Sequence, residues 1–387
     1  MAYDLLIKNG MVVDGSGKPR FHADLAVQGG KIAAIGKIDG AARNTIDAAG
    51  QIVCPGFIDP HTHYDAQITW DQLLSSSSEH GVTTVMMGNC GVGIAPCRPE
   101  VRKLLTEDLV TVEGIDNEVL TEGICWDWET FPQFMDAAAQ RGSAINLAFL
   151  VPLAPLRTYV IGTEANARAA TTEETQSIAM MLREAVTAGA WGFSTTASRQ
   201  HIGRGGKPLS ARLASRDELS AYCGVLKDLK RGVIEMALTK QYSNLDADEE
   251  AFLKFMVDAS ERPVTWLSLH NLAEKPNAIA QILDRVTPLI QRGARPQILT
   301  RPLLYDMNLR RPFMFTEMLA AKDVFDASFE TQMAIYADPA FRKAFKDELK
   351  LGRKWAGLAR NITIIAVENP ALKQYEGMTD RKSTRLN

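Results

Sequence analysis

The chain has 387 residues, a formal net charge of −3, 46% hydrophobic and 23% charged residues, and five cysteines. That length suffices for one to three domains around a large core, and the near-neutral balance gives nucleic acid or an anionic membrane nothing to hold. No run is apolar for long enough to span a bilayer, and residues 1–8 lack the basic start and apolar run of a signal peptide. The odd cysteine count, with no Cys-x-x-Cys pair, points to reduced thiols in the cytoplasm rather than a disulfide framework.

The first fifty or so residues are expected to form short strands. Segments 4–8 and 11–14 flank Asn9-Gly10, which signals a tight hairpin. Segment 24–27 alternates in polarity, Gly29-Gly30 turns the chain, and 31–35 alternates again; 45–48 and 52–55 continue this small β layer. From Pro55 the pattern changes to strand, loop, helix, strand. Strands are expected at 56–59, 82–88, 146–151, 190–195, 233–238, 263–269 and 297–301, with helices between them, among them 172–188 and 217–229. Thr172 with Glu173 and Glu174 supplies a helix start, and Gly189 a stop. Seven apolar strands alternating with helices favour a parallel α/β barrel over a dinucleotide fold, and no Gly-rich phosphate loop follows the first strand. A long, mostly helical stretch, 306–360, and a short candidate strand at 361–368 precede a polar tail. No good eighth barrel strand is visible.

The chemistry concentrates at the ends of the first two barrel strands. Pro55-Gly56-Phe57-Ile58-Asp59-Pro60-His61-Thr62-His63 runs an apolar strand into two histidines at i and i+2. In extended chain such side chains point the same way, toward the barrel mouth where active sites of this architecture lie. Two neutral imidazoles on one point suit Zn²⁺ or a similar divalent ion, although a bare His-x-His is often two surface histidines. The second strand ends in Gly88-Asn89-Cys90-Gly91, which puts a thiol at the same mouth. Alone, Cys90 reads as an inert buried thiol; beside the histidine pair it completes a three-ligand N/S set. Cys97 is a rival ligand deeper in the loop.

These segments resemble the D-aminoacylase (N-acyl-D-amino-acid deacylase) branch of the amidohydrolase superfamily. The resemblance extends to about Thr379 and includes the start of the chain, Gly81-Val82-Thr83-Thr84, Trp126-Asp127-Trp128-Glu129-Thr130-Phe131 and Gly192-Phe193-Ser194-Thr195. It implies a TIM-like (β/α) metal-dependent hydrolase barrel over residues 55–379 that lacks its last strand. It further implies that residues 1–54 are the N-terminal part of a composite β-sandwich, and that 380–387 is a tail foreign to the pattern. The implied function is hydrolysis of an amide C–N bond in a small N-acyl amino acid or related amide, with one or two Zn²⁺ activating water against the acyl carbonyl.

In that branch the ligands are the His-x-His pair, the cysteine and one histidine on each of two later strands. His61, His63 and Cys90 match. The fifth strand instead carries Glu235, either an oxygen ligand or the partner of a lysine or arginine, and His270 on the sixth is displaced by about two residues, either a ligand or a loop cap. The acid/base aspartate is expected beyond the end of the chain. Arg157 either clamps a substrate carboxylate or forms a structural ion pair. His201 reads as a solvated loop histidine, and His22 and His80 as structural or exposed. Two other readings stand beside this one. A catalytically inactive fragment or non-catalytic binding member would account for the replaced histidines. A hydantoinase-like hydrolase of cyclic amides is the other, and Gly-Asn-Cys-Gly speaks against it.

Overall fold

The computed structural model describes residues 2–203, 206–240, 244–270 and 275–298, and beyond these 309–310, 315, 318–325, 327–350, 363–364, 367 and 369–378. The chain divides into two units: Met1–Asp59 with Ser76–Thr84, and Pro60–Ser75 with Val85–Asn387.

In the first unit, β1 (Tyr3–Val12), β2 (Phe21–Gln28), β3 (Lys31–Gly36) and β4 (Ala42–Asp47) form a sheet in the order β3-β2-β1-β4, with the two-residue β5 (Ile52–Val53) also on β1. The expected turn at Gly29-Gly30 is present, and both glycines take the left-handed conformation (φ +59° and +72°) that a two-residue hairpin requires. The expected hairpin at Asn9-Gly10 is absent. β1 runs straight through it and pairs with β2 on both sides, so Asn9 (φ +62°) forms a bulge. Long-range contacts outweigh the local turn signal here: the Asn9 N–H donates to Asp24 and its side-chain amide to Asp47. Gly10 is required where it stands, because a Cβ would lie 2.5 Å from the Val53 side chain. Leu6, Ala26 and Ile38 form the buried core of this layer. A short strand, β6 (Phe57–Asp59), ends the first segment.

β7 (Val82–Met87) begins in the first unit and ends in the second. Three helices follow, α1 (Arg102–Glu113), α2 (Asn117–Gly123) and α3 (Phe131–Arg141), and then β8 (Asn146–Phe149). Beyond β8 the chain alternates: β9 (Val151–Pro152), α4 (Leu153–Ile161), α5 (Thr172–Ala188), β10 (Gly192–Thr196), α6 (Arg216–Leu229), β11 (Val233–Ala237), α7 (Ala247–Ser260), β12 (Val264–Leu269), α8 (Ala278–Gln291) and β13 (Ala294–Ile298). Strands β9 to β13 are parallel and adjacent in sequence order, which is the connectivity of a (β/α) barrel wall. Every residue of β10 is buried, as expected of a strand covered on both faces. Helices α5, α6 and α7 start on reciprocal caps: Thr171 with Glu174, Ser215 with Glu218, and Asp246 with Glu249. The N-cap of α5 is thus Thr171, one residue before the expected Thr172.

The strand expected at 297–301 starts three residues earlier, β13 running over Ala294–Ile298 among the described residues. Arg295 and Pro296 look unlike strand residues, but they pair with Thr265 and Trp266 of β12. Residues 299–301 lie outside the described residues, as do most of 361–368 and all of 380–387. Helices α9 (Phe329–Ala337) and α10 (Pro339–Lys350) occupy part of the long helical stretch.

Candidate metal centre

The His-Thr-His segment is tied to the end of β7 through the residue between the histidines. Thr62 donates both its N–H (3.0 Å) and its hydroxyl (2.8 Å) to the Met86 carbonyl. Asn89, fully buried, donates its side-chain amide to the carbonyls of Thr62 (3.1 Å) and Met86 (2.9 Å). With Thr62 committed to β7, the rings of His61 and His63 on either side of it lie with centroids 5.2 Å apart.

The Gly88-Asn89-Cys90-Gly91 turn presents the thiol. Gly88 (φ +80°) cannot carry a side chain, because a Cβ would sit 2.0 Å from the Leu150 carbonyl oxygen. Cys90 itself adopts φ +57°, a conformation that costs a non-glycine residue on the order of 1 kcal/mol. Two side chains from distant strands hold it there. The Cys90 N–H donates to Glu235 Oε2 at 2.6 Å, and the Gly91 N–H donates to Ser194 Oγ at 2.9 Å. The Ser194 hydroxyl in turn donates to the Gly88 carbonyl. Cys90 Sγ thereby comes within 3.3 Å of His61 Nε2. One ligand atom from each of His61, His63 and Cys90 lies within 4.8 Å of the others.

Three carboxyl groups surround this trio. Asp65, two residues past His63, is buried and accepts the Gly88 N–H. Glu113, the last residue of α1, places Oε2 at 3.3 Å from His63 Nε2. Glu235 Oε1 is buried without a hydrogen-bond donor and lies 3.9 Å from His61 Nδ1. Burial raises Asp65 to about 7, and Glu113 and Glu235 to about 8 each. It lowers His63 to about 4 and, together with the neighbouring His63, lowers His61 to about 3, so both rings are neutral. Burial, reinforced by Glu235, pushes the Cys90 thiol well up. Among the described residues no lysine or arginine pairs with any of the three carboxyls. Neutral imidazoles, a thiol and buried acids without a counter-ion form a donor set that fits a divalent cation, which would supply the missing positive charge.

The structure decides several alternatives left by the sequence. Glu235 has no lysine or arginine partner among the described residues, and its backbone partner is Cys90. Arg157 is not a substrate clamp. Its side chain is fully buried and ion-paired with Glu218, with a second hydrogen bond to the Arg168 carbonyl (2.8 Å). No part of it is accessible, and its helix packs against α5 and β10. His270 follows the end of β12 with Nε2 at 2.6 Å from Ser268 Oγ, and it stands outside the His61, His63, Cys90 group. Cys97 is a core thiol packed with Val101 and Leu105, and burial pushes it up to about 12. His201 is half-buried in its loop, while His22 and His80 are exposed. The sequence reading missed Asn89, Ser194, Asp65 and Glu113. Asp65 was legible as the next residue of the His61, His63 face; Glu113 carries no local signal.

A family model described as "Amidohydrolase family" matches residues 44–366. The D-aminoacylase of Alcaligenes xylosoxydans xylosoxydans is 38% identical over 196 residues, covering 50% of this chain and 38% of that protein. The N-acyl-D-aspartate deacylase of the same organism is 32% identical over 252 residues, covering 65% and 46%. The chain therefore spans less than half the length of these curated relatives. Among solved structures, the N-acyl-D-glutamate deacylase from Bordetella bronchiseptica, complexed with zinc and a phosphonate mimic of the tetrahedral intermediate, superposes with a TM-score of 0.61 at 28% identity, covering 78% of this chain and 59% of that one. A D-aminoacylase structure gives 0.64 at 23% identity, covering 89% and 69%, and at that identity bears on the fold alone.

Proposed function

The chain belongs to the amidohydrolase family, with its TIM-like α/β fold, and on that premise we propose that it forms the metal-binding part of an N-acyl-D-amino-acid deacylase. The observation that carries this is the convergence of His61, His63 and Cys90 from the ends of two successive strands. These residues would hold Zn²⁺, one or two ions, with Glu235 beside them as an oxygen donor. A divalent ion there supplies a lowered water pKa and polarises the acyl carbonyl.

The chain's own residues do the rest. Asn89 and Thr62 fix the histidine segment, while Ser194 and Glu235 fix the cysteine turn, so the donors are set before a cation arrives and little reorganisation is needed on binding. The deacylases of aspartate and glutamate derivatives among the relatives support a small N-acyl-D-amino acid as substrate. The near-neutral net charge argues against nucleic acid or a membrane as partner, and among the described residues no helix is long and apolar enough to cross one. Five free cysteines are in keeping with a reducing compartment such as the cytoplasm.

The test is elemental analysis of the purified protein together with release of free amino acid from N-acetyl-D-amino acids, their L-enantiomers and a hydantoin. We expect a bound divalent metal that is lost in His61→Ala, and such hydrolysis as occurs, slow without the acid/base aspartate, confined to the acyl-D series. A protein that binds no divalent ion when reconstituted, or one that opens the hydantoin in preference, would sink this reading.

A further inference from the structure

The start of α1, the segment from Trp126 to Glu129 and one face of α3 enclose a cavity of about 460 Å³ that shares no residue with the His61, His63 and Cys90 group. Arg102, the first residue of α1, lines it, whereas Glu113 at the other end of the same helix lies beside His63. At 1.5 Å per residue, about 17 Å of helix separates the two places. The Trp-Asp-Trp-Glu-Thr-Phe run borders this cavity, and part of it serves the fold. Trp128 is buried and donates Nε1–H to the Ile94 carbonyl (3.2 Å), while Thr130 caps α3 together with Gln133. Trp126, at φ +49°, remains half-buried on the cavity wall.

Arg102 is half-buried too. Its Nη2 donates to the Trp126 carbonyl (3.2 Å), and its guanidinium lies 5.3 Å from the centre of the Trp126 ring. No carboxylate among the described residues pairs with it, although Asp127, Glu129 and Asp136 line the same cavity. Two of these acids are occupied: Asp127 by Arg141, and Glu129 by the Tyr159 hydroxyl (2.7 Å). The Asp136 carboxylate is exposed and makes no ion pair or hydrogen bond among the described residues.

A guanidinium taken partly out of water is satisfied best by a planar, bidentate anion such as a carboxylate. The acids in the cavity stand beyond pairing distance of Arg102, so the two signs of charge face the same space without cancelling. A purely anionic ligand would meet the acids, and a purely cationic one would meet Arg102. We infer that the cavity binds a free amino acid in its zwitterionic form, with its carboxylate on Arg102, its ammonium on Asp136 and its side chain against the Trp126 indole. This site is separate from the metal centre, and its assignment does not depend on it.

The test is isothermal titration calorimetry of the full chain with D-leucine and L-leucine, beside isocaproate and isoamylamine, which keep the carboxylate or the ammonium alone. Wild type and His61→Ala should bind leucine alike. Arg102→Met and Asp136→Asn should each weaken it by about tenfold or more with the circular dichroism unchanged, the usual loss when one partner of a charged hydrogen bond is removed. Isocaproate and isoamylamine should bind the wild type more weakly than leucine by about the same factor. Asp136 is at an exposed position, so its variant keeps the test decisive even where Arg102→Met alters the fold. No heat with either enantiomer, or an affinity for isocaproate or isoamylamine equal to that for leucine, overturns the inference. So does binding that is lost in His61→Ala and kept in both cavity variants, which would move the amino acid to the metal centre. A loss in only one cavity variant overturns the zwitterion in favour of a ligand of single charge.

Discussion

Replacing Arg157 by methionine should destabilise the fold without touching the metal centre. Arg157 and Glu218 are 0% and 1% exposed, so the change leaves a buried carboxylate without its cation. Breaking one side of a buried ion pair costs about 3–5 kcal/mol. Glu218 would keep three neutral donors, the N–H groups of Ala170 (2.9 Å) and Ser215 (3.0 Å) and the Tyr222 hydroxyl (3.2 Å). Those bonds hold the loss to the lower end, about 3 kcal/mol. The double variant Arg157→Met with Glu218→Gln keeps the cap of α6 and removes the stranded charge, so it should regain more than half of the loss. The assay is urea unfolding followed by circular dichroism on wild type, Arg157→Met, Glu218→Gln and the double variant, with zinc affinity and KM measured on each under native conditions. The expected pattern is a lower urea midpoint with unchanged zinc affinity and KM. A variant as stable as wild type whose KM for an N-acyl-D-amino acid rises tenfold would refute the reasoning and restore Arg157 as a substrate clamp.

Ser194→Ala removes the acceptor for the Gly91 N–H and the donor to the Gly88 carbonyl, so we expect a loss of about 1–3 kcal/mol and weaker zinc binding together; unchanged zinc affinity would separate Ser194 from the cysteine turn. At the start of α5, Arg168, followed by the Thr171 N–H, lowers Glu174 to about 2. A carboxylate depressed on folding stabilises the fold above its unfolded pKa of 4.5, and that contribution fades as pH falls through 4.5 toward 2. The urea midpoints of wild type and Glu174→Gln should therefore converge between pH 5 and pH 2.5; because the pair is partly exposed the gap is small, about 1 kcal/mol at most. A gap independent of pH would show that the pair contributes no charge-dependent stability.

Local pattern alone determined the parts of this protein whose physics is local. The i, i+2 spacing of His61 and His63 after an apolar strand, the thiol at the end of the next strand, and the helix starts and stops of α5 and α6 all follow from backbone periodicity and capping over a few residues. The reading failed at Asn9-Gly10 because a turn signal is worth little against strand pairing on both sides. It failed by three residues at β13 because Arg295 and Pro296 are in strand conformation only by virtue of β12. What the tertiary structure alone decided are the partners. Glu235 meets the Cys90 amide across 145 residues of sequence and Ser194 meets the Gly91 amide across 103. Arg157 finds Glu218 across 61, and Glu113 finds His63 across a stretch that includes β7 and α1. A buried charge or a left-handed backbone is tolerated only where a specific group waits to satisfy it, and which groups wait is set by how the strands and helices stack. The candidate ligands were therefore legible in the sequence, and the groups that surround them were fixed only when the barrel wall assembled.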